Sequence, residues 1–135
     1  MHAFGAKKVD LSTLLSQSHV ISLHCNLTGE TRHILDEKAF HGMKQMPVVI
    51  NTARGAVMDE KALLRALQTG GVHSAGLDVF EHEPPSESKL IRHPNLIATP
   101  HIAAQTKESQ SRAAAHAAEE IVRFTKGLPL RWQIG

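Results

Sequence analysis

The chain has little of several things that would each point to a particular class. A single cysteine, Cys25, stands among 135 residues, which excludes an intramolecular disulfide framework. There is no tyrosine, and aromatic residues make up only 4% of the chain, too few for a stacking surface that holds single-stranded nucleic acid. Lysine and arginine exceed aspartate and glutamate by only two, and they are scattered, so no basic footprint for nucleic acid is present. No apolar run reaches membrane-spanning length, and no secretory signal opens the chain. These features lead us to expect a cytoplasmic location, where the glycosylation-type triplet Asn26-Leu27-Thr28 would stay idle. No His-x-x-x-His or Cys-x-x-Cys spacing occurs, so no zinc site is expected. A further absence bears on fold. A strand followed by Gly-x-Gly-x-x-Gly and a helix would open a complete dinucleotide-binding domain, and the chain has no such stretch.

What is present alternates. After a weakly patterned stretch over Met1–Lys8, Asp10 or Ser12 can cap a short helix carrying Leu11, Leu14 and Leu15 on one face. His19–His24 reads as a strand. Asp36 caps a second short helix bearing Phe40, with Met43 at its end. Val48-Val49-Ile50 has the look of a buried parallel strand running into the polar turn Asn51-Thr52-Ala53-Arg54-Gly55. Leu63, Leu64 and Leu67 then repeat at helical spacing until Gly70-Gly71. Ser74–Val79 and Leu96–Thr99 read as strands, separated by a charged loop with three prolines over Glu81–Pro94. From Ala103 an alanine-rich helix is expected through Phe124, closed by Gly127 and Pro129. This order implies an α/β fold with a mostly parallel sheet flanked by helices. With no glycine-rich opening, residues 1–135 read as the second half of a Rossmann-like domain. Such a half sheet leaves an unpaired edge and an uncovered apolar face, from which a homodimer is expected.

Arg54, Asp78, Glu83 and His101 fall at or just beyond predicted strand ends. In a parallel sheet these ends share one edge, so the four are expected to converge. An arginine there can hold an anionic substrate, a histidine can move a proton, and a carboxylate can orient the imidazole. Each also has a plainer reading: a surface arginine in a loop, a helix-capping histidine, a solvated glutamate, a strand-end aspartate bonded to a backbone amide. Spacing alone does not choose between His82 and His101.

Four stretches carry a resemblance. Ser22–Thr28, Asn51–Gly55, Gly76–Pro84 and Thr99–Ala103 occur in order, and together they resemble the D-isomer-specific 2-hydroxyacid dehydrogenases, the family of phosphoglycerate dehydrogenase and the glyoxylate and hydroxypyruvate reductases. The resemblance implies an NAD(P)-dependent oxidoreductase acting on a small 2-oxo or 2-hydroxy carboxylic acid. It implies that Arg54 binds the substrate carboxylate and carbonyl oxygen, that His101 donates the proton, and that Glu83 pairs with it. It further implies cofactor contacts at Cys25 and Thr28 on the adenosine side, at Thr52, Ala53 and Asp78 around the nicotinamide, and at Ala103. Asn26 stands where the family commonly has proline, and Ala103 and Ala104 where it often has glycine. The family's glycine-rich half and most of its substrate domain have no counterpart here. The expectation is therefore a poorly active fragment, the alternative being a non-enzymatic, self-associating scaffold.

Overall fold

The computed structural model describes residues 5–86 and 88–133. Of the Met1–Lys8 stretch, residues 1–4 lie outside the described part. Among the described residues four α-helices and four β-strands follow in order, with short 3-10 turns at Gly55–Val57 and Leu90–Arg92: α1 (Leu11–Gln17), β1 (Val20–Leu23), α2 (Glu37–Gly42), β2 (Val48–Asn51), α3 (Glu60–Thr69), β3 (Ser74–Leu77), β4 (Leu96–Ala98) and α4 (Lys107–Thr125). Every expected element is present. The chain divides into two compact units, residues 1–101 and 102–135.

In the first unit the four strands form one sheet in the order β1-β2-β3-β4, all parallel. Each helix starts where a carboxylate can take an otherwise unpaired amide. Asp10 accepts from the Thr13 amide, Asp36 from Ala39, and Asp59 from both Lys61 and Ala62. Ser12 is inside the first helix and donates to Asp10, so Asp10 is the cap. Gly70, in the left-handed region at φ 75°, ends α3.

Side chains alternate along the strands. Ile21, Leu23, Val49, Asn51, Ala75 and Leu77 point to the buried side. There they share a core with Leu15 of α1, Phe40 of α2, and Leu63 and Leu67 of α3. The opposite side is not closed over. Val20 is 59% and Ile97 75% exposed, while Val48 and Ile50 are half-buried. β2 is thus buried on one side rather than on both, as its apolar run suggested, and the expected uncovered face is present.

The expected helix from Ala103 begins later. Ala103 lies in a turn, and Thr106 opens α4 by accepting from the Ser109 amide, so the helical alanines start beyond Lys107. In this second unit α4 has no buried residue. Gly127, at φ 63°, reverses the chain. Arg123 Nε then donates to Pro129 O (2.7 Å), Arg131 pairs with Glu119 (2.7 Å), and Trp132 stacks on His116 with ring centres 5.6 Å apart. Among the described residues no helix is long and apolar enough to cross a membrane.

Candidate active site

The carboxyl ends of the parallel strands carry the polar residues. β2 ends in Asn51, which is fully buried and shapes the turn after it. Its Oδ1 accepts from the Ala53 amide (3.0 Å), and its Nδ2 donates to Arg54 O (3.0 Å). Asn51 O accepts from the Asp78 amide (3.0 Å), joining the ends of β2 and β3. Asparagine suits this place because its side chain can donate and accept at once. The sequence reading gave Asn51 no role. The available signal was an Asn closing an apolar strand ahead of a turn.

Arg54 is exposed at the end of that turn and donates from Nη1 to Ala53 O (2.7 Å). Among the described residues it forms no ion pair within 4.0 Å, so its fork of donors has no carboxylate competing for an anionic ligand. Gly55 follows. Glycine is required there for close approach rather than for a positive φ. A Cβ at this position would sit 1.9 Å from the carbonyl carbon of Phe80 and 2.4 Å from the Glu81 nitrogen. The Arg54 turn therefore lies directly against the backbone that leads out of β3.

That backbone holds the second set of residues. Glu83 Oε1 accepts from the Phe80 amide (3.0 Å), folding the segment after β3 back on itself. Glu83 Oε2 lies 2.9 Å from His101 Nδ1. It is His101, not its sequence neighbour His82, that meets Glu83. Both partners remain reachable from solvent, with side chains 48% and 38% exposed. The His101 hydrogen bond, and next the Phe80 amide, hold the Glu83 carboxyl below its ordinary value. With Glu83 ionised, Nδ1 must carry the hydrogen between them, which leaves Nε2 as the nitrogen facing outward. A depressed carboxyl stabilises the fold above its ordinary value and loses that contribution as pH falls through the lowered value. His101 takes φ 55°, a left-handed backbone uncommon for a residue with a side chain, just after Pro100. Strained positions of this kind concentrate at functional sites.

The other candidate residues divide. Cys25, Thr52, Ala53 and Arg54 line one pocket of about 410 Å³ with His24, Asn26 and Leu27, across the ends of β1 and β2. Thr28 is not in that lining. Its amide accepts no ligand role there, since it donates to Thr31 Oγ1 (2.7 Å), and Thr31 in turn bonds Asn26 O. Asp78 is buried just beyond β3, with Thr99 Oγ1 donating to its carboxylate (2.5 Å). Ala103 belongs to the second unit. Among the described residues no group of three histidine, cysteine or acidic side chains could hold a metal ion.

A dinucleotide fits this edge in part. The pocket is within the size range of small-molecule sites and sits where parallel α/β sheets place ligands. The chain offers no glycine-rich turn for a pyrophosphate. Its own residues suit one end of such a cofactor rather than its middle.

Comparison with known proteins identifies the family. The family model described as D-isomer specific 2-hydroxyacid dehydrogenase, NAD binding domain, matches residues 1–103. D-3-phosphoglycerate dehydrogenase of Bacillus subtilis (strain 168) is 45% identical over 130 residues, covering 93% of this chain and 25% of that protein. Glyoxylate reductase of Thermococcus litoralis is 45% identical over 123 residues, covering 91% of this chain and 37% of its own length. Among solved structures, a glyoxylate reductase from Paecilomyes thermophila superposes with a TM-score of 0.83 at 45% identity, covering 88% of this chain and 36% of that one. A D-isomer specific 2-hydroxyacid dehydrogenase from Xanthobacter autotrophicus Py2, in complex with NADPH and MES, superposes with a TM-score of 0.78 at 36% identity, covering 93% of this chain and 51% of that one. The chain spans a quarter to about two-fifths of the length of these curated relatives.

Proposed function

The chain belongs to the D-isomer specific 2-hydroxyacid dehydrogenases, in their NAD-binding domain, and we propose that it supplies the proton-transfer side of a cytoplasmic active site interconverting a 2-oxo acid and a D-2-hydroxy acid. The observation that carries this reading is the Glu83–His101 pair at 2.9 Å, at the same sheet edge as the pocket with Arg54 in its lining. NAD or NADP, when bound, supplies or accepts the hydride. Residues 1–135 form part of the domain that holds it, with Cys25, Thr52, Ala53 and Asp78 toward the cofactor.

In reduction, Arg54 holds the carboxylate of the 2-oxo acid and stabilises the charge growing on its carbonyl oxygen. His101 gives that oxygen a proton from Nε2. Glu83 keeps the imidazole in the tautomer and orientation this requires. In oxidation the same imidazole takes the hydroxyl proton. Without a glycine-rich half, the chain alone is a weak catalyst, since the binding energy that orients the cofactor is missing. A homodimer is part of the same reading, supported by the exposed Val20 and Ile97 on the sheet and Ile121 and Phe124 on α4. Sedimentation showing a clean monomer across the micromolar range would contradict it.

The test joins the chain to a glycine-rich half with its substrate domain and assays glyoxylate, hydroxypyruvate and phosphohydroxypyruvate with each nicotinamide. His101→Ala is expected to lower kcat by about 10²–10⁴-fold. Arg54→Ala is expected to raise KM and lower kcat together. Unchanged turnover in His101→Ala would overturn the assignment.

A further inference from the structure

One polar cluster beside this site has no part in the proton transfer. Glu60, the first residue of α3, and Glu81, two residues before Glu83, are bonded reciprocally. The Glu81 amide donates to Glu60 Oε1 (2.6 Å), and the Glu60 amide donates to Glu81 Oε1 (3.2 Å). The second oxygen of Glu81 lies 3.2 Å from His33 Nε2. His33 comes from the connection between β1 and α2, and its own amide donates to Ala56 O (2.9 Å) in the turn after Arg54. Its backbone is left-handed, at φ 50°.

Two glutamates side by side at a half-buried place oppose each other electrostatically. Burial pushes the Glu60 carboxyl up, the Glu81 amide opposes that, and the charges of Glu81 and Asp59 add to the rise while His82 offsets part of it. A surface turn needs no such arrangement. It becomes intelligible from what the bonds grip. The two peptides on either side of the Phe80 Cα, Val79–Phe80 and Phe80–Glu81, present two successive amides. The first holds Glu83, the second is held by Glu60, and Gly55 packs against the carbonyl between them. The Phe80–Glu81 peptide therefore bears directly on the Arg54 turn, and through the Phe80 Cα on the adjoining amide that holds the Glu83 carboxylate.

We propose that Glu60, Glu81 and His33 are positioning residues, a clamp on the Phe80–Glu81 peptide that aims Glu83 at His101 and keeps the Arg54 turn in register with them. This rests on the proton-transfer reading above for its catalytic consequence, though not for its geometry. The clamp ties together four segments: the β1–α2 connection, the Arg54 turn, the start of α3 and the exit from β3. None of its three side chains bonds to His101 or Arg54.

Two measurements separate the clamp from the reaction. In the 135-residue chain, carbon-13 NMR of the side-chain carboxyls follows the titration of Glu83, with Glu83→Gln used for assignment. Glu60→Ala removes the acceptor for the Glu81 amide, and the Glu83 midpoint is expected to rise toward that of an ordinary carboxyl. Glu60→Gln keeps an oxygen at that place and is expected to leave the midpoint near the wild-type value. His33→Asn, which tolerates a left-handed backbone but is too short to reach Glu81, is expected to move the midpoint in the same direction by less. In the active chimera, Glu60→Ala is expected to lower kcat about five- to tenfold, the effect of losing one ordinary hydrogen bond, with KM changed less. An unmoved Glu83 midpoint in Glu60→Ala, or Glu60→Gln behaving as Glu60→Ala does, overturns the clamp. If Glu60→Ala does not fold, an unmoved midpoint in His33→Asn overturns it. A midpoint that moves while His101→Ala keeps full turnover upholds the clamp and refutes the proton-transfer reading instead.

Discussion

Replacing Gly55 by alanine is the sharpest test of how this edge is assembled. The added Cβ would lie 1.9 Å from Phe80 C, 2.1 Å from Phe80 O and 2.4 Å from Glu81 N. Non-bonded carbons rest about 3.5–4.0 Å apart, so the two backbone segments must part by about 1.5 Å. All three atoms are main chain, which cannot swing aside as a side chain does. Overpacking costs about 1–3 kcal/mol where side chains can adjust; with only backbone to move, we expect the upper end, about 3 kcal/mol or more. At a urea slope of about 1–3 kcal/mol/M, the unfolding midpoint should fall by about 1–3 M with the slope unchanged. Following the amide signals of β2 restricts the measurement to the first unit. Gly70→Ala is the control, because Gly70 has φ 75° and nothing within 4 Å of a Cβ. There the cost is conformational, about 1–2 kcal/mol. A Gly55→Ala chain as stable as wild type, or less affected than Gly70→Ala, would refute the close-approach account.

Two further substitutions test the support beneath the site. Leu63→Ala empties a fully buried position on the inner face of α3 and should cost about 2–5 kcal/mol by denaturant unfolding, against little for a change at the exposed Lys61. Thr99→Val removes the hydroxyl that donates to the buried carboxylate of Asp78, and should cost about 1.5–3 kcal/mol, while Thr99→Ser, which keeps the hydroxyl, should stay near wild type.

The sequence by itself determined the elements and the family. Periodicity located all four strands, and Asp36, with Asp10 as one of two candidates, marked helix starts because a carboxylate there satisfies amides within the next three residues. These are local bonds between near neighbours, and they leave a local trace. The four motif stretches likewise lie at strand ends, so their order along the chain already implied one edge of one sheet. The start of α4 was misjudged because alanine favours helix wherever it occurs, whereas the start depends on Thr106 meeting the Ser109 amide.

Tertiary structure decided what joins residues far apart in the chain. Spacing does not distinguish His101 from His82 as the partner of Glu83, though the resemblance implied His101; the pairing itself depends on where the end of β4 comes to lie beside the exit from β3. Gly55 could be read as a turn glycine, and only the Phe80 backbone against it shows that space, not φ, demands glycine there. Glu60, Glu81 and His33 look like ordinary surface charges in the sequence. Their bonds span 21 and 48 residues, and such pairings exist only once the sheet has set its strand ends side by side.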